Sequence, residues 1–192
     1  MRPWPQVLIF DGATGSGKST CLEHIRRVWS EFVSVGSKLT TRNRRPTDND
    51  WEFSFVSAIP ASDSLIKLTA VGSEYAIEIS QIVGSDQCGL IWSTVCTEPR
   101  AIEALKSKFN VRLVYVHRCN LEKKVDEIIA ARGQISEHEA RERKIEAATA
   151  VERYAEGISR YDHVVINGGD LGLLTAQVDE LLQCIIRESA SR

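Results

Sequence analysis

Positions 12–20 read Gly12-Ala13-Thr14-Gly15-Ser16-Gly17-Lys18-Ser19-Thr20, a complete G-x-x-x-x-G-K-S sequence. No other feature restricts the fold as much, because this loop functions only between a buried strand and the first turn of a helix. Both flanks are present. Residues 6–10 form a short apolar, β-prone run of the kind that makes a parallel strand covered on both faces. Behind the loop, Leu22, Ile25, Val28 and Trp29 recur at helical spacing, so a helix N-terminus faces whatever the loop encloses. Successive N–H groups of positions 12–20 then wrap a phosphate chain. Lys18 reaches the β- and γ-phosphates, and the Ser19 hydroxyl completes the coordination of Mg²⁺. The expected ligands are a nucleoside triphosphate, taken as ATP, and Mg²⁺.

The remainder alternates strand and helix signals, which is the pattern of an α/β domain with a parallel sheet. The expected core strands are Val7–Phe10, Val33–Val35, Leu90–Val95, Val111–His117 and His163–Ile166, and the expected helices Lys18–Ser30, Glu98–Lys108, Leu121–Arg132, Glu137–Ile158 and Leu171–Glu188. One stretch breaks the alternation. From Gly36 to Asp86 the chain reads as short strands and turns, with Trp51–Val56 and Tyr75–Ile79 alternating and Leu65–Val71 β-prone. The reading is one three-layer P-loop NTPase domain with about five parallel strands, a helical lid and a small β-rich insertion. Its core is residues 1–35 and 87–192, the inserted lobe residues 36–86, and the lid about residues 132–144.

Composition narrows the partners. With 24 basic against 26 acidic residues the formal charge is −2, which argues against a general nucleic-acid binder or a membrane-surface protein. Cys21, Cys88, Cys96, Cys119 and Cys184 are odd in number and include no C-x-x-C pair, a pattern of reduced thiols with no zinc site. His24, His117, His138 and His163 likewise show no metal or triad spacing. No signal peptide and no membrane span is legible, so a cytoplasmic location is expected, as a monomer or homodimer.

Two arginine groups bear on what is done with the triphosphate. The segment Thr40-Thr41-Arg42-Asn43-Arg44-Arg45-Pro46-Thr47-Asp48 sets three arginines close together after a strand. Arg42 and Arg45 can clamp an anion, since guanidinium forks match phosphate oxygens, or they can belong to a solvated loop; the residues alone leave both open. The second group is Arg132 at a helix end and turn, with Arg141, Arg143 and Lys144 on the next helix, which Ser136 and Glu139 start as a capping box. Two helices joined by an arginine-bearing turn make a lid whose charges neutralise a phosphoryl group in transfer. Trp51 and Phe53 fit either stacking on a ligand or packing of the small lobe. Asp11 fits a carboxylate near Mg²⁺ or, preferably, a structural hydrogen bond.

With these residues in view, the chain resembles the guanylate kinase family of P-loop nucleoside monophosphate kinases, as a divergent member. Positions 12–20 match its phosphate loop, Thr41-Arg42-x-x-Arg45-Pro46 with Asp48 its acceptor-phosphate motif, and Phe53–Ser57 the strand that follows. Gly72-x-x-Tyr75 matches its phosphate-touching Tyr, Ala131-Arg132-Gly133 and Arg143 its lid, and Tyr161–Asn167 its closing strand. The resemblance implies transfer from ATP to a phosphorylated small molecule gripped by Arg42, Arg45, Asp48 and Tyr75, with Lys18, Arg132 and Arg143 catalytic and Asn167 near the nucleotide base. The departures are specific. The family's Asp-x-Asp on the third core strand falls in Ile91-Trp92-Ser93-Thr94-Val95, and its guanine contacts fall at Ile66 and Ile77. A site without polar partners for a base loses discrimination for it. The expected acceptor is therefore a nucleoside monophosphate other than fully specific GMP. The alternatives are a sugar phosphate, as in ribose 1,5-bisphosphate phosphokinases, a slow nucleotide switch or NTPase, and a nucleotide-binding module without turnover.

Overall fold

The computed structural model describes residues 5–46, 48–70, 72–121, 125–127, 130 and 136–190. In chain order the strands are β1 (Val7–Asp11), β2 (Val33–Val35), β3 (Lys38–Thr40), β4 (Phe53–Phe55), β5 (Leu65–Ala70), β6 (Ser73–Glu78), β7 (Ile91–Val95), β8 (Val111–Arg118) and β9 (His163–Asn167). The helices are α1 (Lys18–Val28), α2 (Ile79–Gln87), α3 (Pro99–Lys106), α4 (Glu137–Glu156) and α5 (Leu171–Ala190). The expected helix over Leu121–Arg132 lies partly outside the described residues, and Arg132 itself does so entirely.

Five strands form an all-parallel sheet in the order β2-β7-β1-β8-β9, with β1 at its centre. The unbroken apolar run of β1 follows from this position, since alternate residues enter opposite layers. Leu8 and Phe10 pack with Cys21, Leu22 and Ile25 of α1 and with Leu174, Val178 and Leu182 of α5. Val7 and Ile9 pack on the other side with Ile82 of α2, Ile102 and Leu105 of α3, and Trp92. These are the layers of the expected P-loop fold. On the outer side of the α1–α5 layer, Asp179 accepts hydrogen bonds from the indole Nε1 of Trp29 at 2.6 Å and contacts the His24 ring at 2.6 Å, bracing the two helices.

The second sheet has the order β4-β3-β6-β5. Strand β3 pairs parallel to β4 and antiparallel to β6, with Thr40 opposite Tyr75; β5 and β6 form a hairpin pairing Ile66 with Ile77. Entry into this sheet requires a glycine at 36. A Cβ there would lie 2.0 Å from Nε1 of the fully buried Trp92, so the backbone passes directly over the indole. The structure corrects the reading of short strands and turns as far as Asp86. Tyr75, Ile77 and Ile79 continue the period-two alternation past the real strand end, whereas Ile79 and Ile82 also fit a helix. The chain turns into α2 at Ile79, and Ile82 is fully buried against the core sheet.

Candidate active site

The phosphate loop leaves the carboxyl end of the central strand, the edge at which open α/β sheets bind ligands. Gly17 caps α1 at φ 108°, a left-handed conformation that disfavours any side chain. A Cβ at Gly12, at φ 140°, would lie 2.5 Å from the carbonyl oxygen of Val116. Two side chains from neighbouring strands brace the loop from outside. Asn167 donates from Nδ2 to the Ser16 carbonyl at 2.8 Å and accepts the Gly169 N–H at 2.9 Å; Arg118 donates to the Gly15 carbonyl at 3.1 Å. Lys18 Nζ donates to the Gly12 and Ala13 carbonyls, both at 2.6 Å. Asp11 takes the structural role. Its oxygens accept the Gly12 N–H at 2.6 Å and the Tyr161 hydroxyl at 2.7 Å, and it faces a separate 130 Å³ pocket.

In front of the loop lies a cleft of about 500 Å³. Its walls bring together Thr14, Gly15, Gly17, Lys18, Ser19 and Thr20 from the loop, Arg42, Arg45, Asp48 and Tyr75 from the lobe, and Arg143 and Asn167 from the core. The Arg42 fork meets Asp48 squarely, Nη1 to Oδ2 and Nη2 to Oδ1 each at 2.6 Å, with both side chains under a tenth exposed. Asp48 also accepts the Arg45 N–H at 2.6 Å, so it fixes the turn as well as the guanidinium. Burial opposes charge on both partners, but their hydrogen bonds more than offset it: Asp48 is held below the usual carboxylate range and Arg42 above its ordinary value. Arg45 moves the other way, lowered by burial and by the positive charges of Arg42 and Arg143. The Arg42 guanidinium lies 4.5 Å from the centre of the Phe53 ring, which in turn packs 6.2 Å from Tyr75. Arg44 stands apart, exposed and paired with Asp50.

Helix α4 closes over the loop. Arg143, 4% exposed, donates to the Thr14 hydroxyl at 3.0 Å and to Glu139 Oε1 at 3.1 and 2.7 Å, while Thr14 donates to Glu146. Glu139 Oε1 also accepts from Arg45. One carboxylate on the helix therefore joins an arginine of the lobe to an arginine beside the phosphate loop.

Sequence reasoning passes over Lys38, Glu52, Arg118 and Glu146, and it reads Glu139 only as part of a helix cap, whereas its carboxylate accepts from Arg45 and Arg143. Lys38 begins an unrecognised strand, where it is 5% exposed; its Nζ donates to the Val95 carbonyl at 2.9 Å and lies 5.1 Å from the centre of the Phe53 ring. Burial lowers its pKa, with Glu52 opposing that shift electrostatically. Glu52 is 6% exposed, and its Oε1 accepts from the Ser19 hydroxyl at 3.3 Å. The available signal was a charged residue set between Trp51 and Phe53. Cys96, also in the cleft wall, has a thiol pushed up to about 12 by burial, which leaves it protonated and unreactive.

No protein-family model and no curated protein sequence matches the chain. Among solved structures it is similar to the crystal structure of guanylate kinase from Anaplasma phagocytophilum, with a TM-score of 0.62 and 15% sequence identity over 95% of this chain and 85% of that one. The fold is guanylate-kinase-like. Among the described residues, no helix is long and apolar enough to cross a membrane.

Proposed function

We propose that the chain is a kinase that transfers the γ-phosphoryl group of ATP to a small molecule already bearing a phosphate. The observation that carries this reading is the single cleft in which an intact phosphate loop faces Arg42, Arg45 and Tyr75. Phosphoryl transfer asks little covalent chemistry of a protein; positioning and charge neutralisation supply the rate. Lys18 and the loop amides hold the donor. Arg42, kept in place by Asp48, and Arg45 and Tyr75 hold the acceptor phosphate, and Arg143 faces the transferring group from α4.

The residues fit Mg²⁺. Ser19 offers a hard oxygen beside the loop, and among the described residues no group of three or more His, Cys, Asp or Glu side chains gathers to form a complete protein cage. Mg²⁺ keeps several of its waters and is typically bound through one or two carboxylates plus substrate phosphates rather than a dedicated protein cage, and it would neutralise charge developing on the β- and γ-oxygens.

The acceptor we favour is a nucleoside monophosphate other than fully specific GMP. A sugar phosphate is supported by one observation: Ile66 and Ile77 pair in register and are buried in the packing between the two sheets, so neither reads a base edge. Arg45→Ala tests the clamp. It should raise the acceptor KM about 10–150-fold, for a lost charge-assisted hydrogen bond of about 1.5–3 kcal/mol, while the ATP Kd stays unchanged. An unchanged acceptor KM would remove Arg45 from the acceptor site.

A further inference from the structure

P-loop enzymes place a carboxylate against the loop hydroxyl, usually from the strand beside the loop strand, and the two oxygens share the metal of the bound triphosphate. Here that strand is β7, and it supplies no carboxylate: Ser93 spends its hydroxyl on the Leu8 carbonyl at 3.0 Å, and Val95 is apolar. Beyond it, Glu98 is engaged as the α3 cap on the Ala101 N–H at 2.7 Å. Of the carboxylates lining the cleft, Asp48 is held by Arg42 and Glu146 by Thr14. Glu52 is the one that touches Ser19, at 3.3 Å.

Its placement is built into the lobe. The Glu52 N–H donates to the Asn49 carbonyl at 3.1 Å, and its carbonyl accepts the Lys38 N–H at 3.0 Å, so β3 sets its backbone just before β4 begins. The residue is 6% exposed and lines the cleft. Lys38 lies within electrostatic reach, but its ammonium donates to the Val95 carbonyl and, among the described residues, forms no ion pair within 4.0 Å of Glu52. A buried carboxylate beside a hydroxyl, with no cation among the described residues in direct contact, suits a divalent ion.

We infer that Glu52 supplies the acidic oxygen for the divalent cation of the bound nucleotide, a role moved from the core strand to the acceptor lobe. The inference rests on the kinase reading above. It also gives the lobe a direct stake in the donor site, because Ser19 belongs to the core and Glu52 to the turn that leads into the second sheet.

The test reads metal binding, not turnover. Mn²⁺ is titrated into the full chain with saturating ADP and free Mn²⁺ is followed by electron paramagnetic resonance, while ADP affinity without metal is measured by calorimetry. Glu52→Gln should weaken Mn²⁺ binding tenfold or more and leave metal-free ADP affinity unchanged or slightly higher; Glu52→Asp, which keeps the charge, should recover part of the loss. The ratio of ADP affinity with and without Mn²⁺ for each variant cancels any partial unfolding. Equal Mn²⁺ binding by wild type and Glu52→Gln would overturn the assignment and leave the kinase reading intact. A wild-type chain that binds no nucleotide would overturn both.

Discussion

Replacing Asp48 by Asn tests the acceptor clamp as a piece of physical chemistry. The substitution keeps the side-chain shape but removes the charge that compensates Arg42, whose two fork contacts with Asp48 are 2.6 Å long and lie under a tenth exposed. Breaking one partner of a buried ion pair costs about 3–5 kcal/mol. Because this pair borders an open cleft, the lower end applies, and about 3 kcal/mol corresponds to a fall in Tm of about 6–12 °C in a chain of this size. The pH dependence follows from the depressed Asp48 pKa. A carboxylate held below its unfolded value of about 3.9 contributes stability that is fully present above that pH and lost as pH falls through the folded value. Thermal unfolding of wild type and Asp48→Asn, followed by circular dichroism from pH 7 to pH 2.5, should show the full gap down to about pH 4 and a closing gap below it. A gap under about 2 °C at pH 7, or one that does not change with pH, would refute the claim that Asp48 holds the arginine in place.

Two further substitutions probe the same cleft. Glu139→Gln removes the carboxylate that Arg45 and Arg143 share; calorimetric binding of inorganic phosphate should tighten about fivefold, the worth of a partly exposed ion pair near 1 kcal/mol, and weaker binding would show that Glu139 assembles the clamp instead. Lys38→Met should raise Tm at pH 7, because the lowered Lys38 pKa means that folding pays a burial penalty for the protonated amine. The penalty is full below the folded pKa and lost as pH rises through it toward the unfolded value of about 10.4, so the variant's advantage should shrink between neutral and alkaline pH; an advantage that grew with pH would contradict the assignment.

The core was legible because its signals are local. The run before the loop, the 12–20 sequence itself and the three-and-four stripe Leu174, Val178, Leu181, Leu182 and Ile185 each fix an element without reference to any other, and the five parallel strands stand where the alternation put them. The lobe was less legible, because its short strands depend on pairing. Lys38–Thr40 is three residues long and becomes a strand only between β4 and β6. Alternation through Tyr75, Ile77 and Ile79 hid the turn into α2. The site divides the same way. Lys18, Ser19, Arg42, Arg45, Asp48, Tyr75, Arg143 and Asn167 all line one cleft. Glu52 and Lys38 reach it, and Glu139 reaches two of its arginines, only through the packing of lobe and helix against the loop, and no spacing in the sequence announces those contacts.

If the cleft moves a phosphoryl group to a phosphorylated acceptor, ADP release must depend on that acceptor. A coupled ADP-release assay with ATP and Mg²⁺, run against nucleoside monophosphates and ribose phosphates, tests it most directly. One acceptor should stimulate ADP release, Lys18→Ala should abolish that release, and GMP should not be the preferred acceptor. Measurable ATP binding with no stimulation by any phosphorylated acceptor would rule out the kinase and make the chain a nucleotide-binding module.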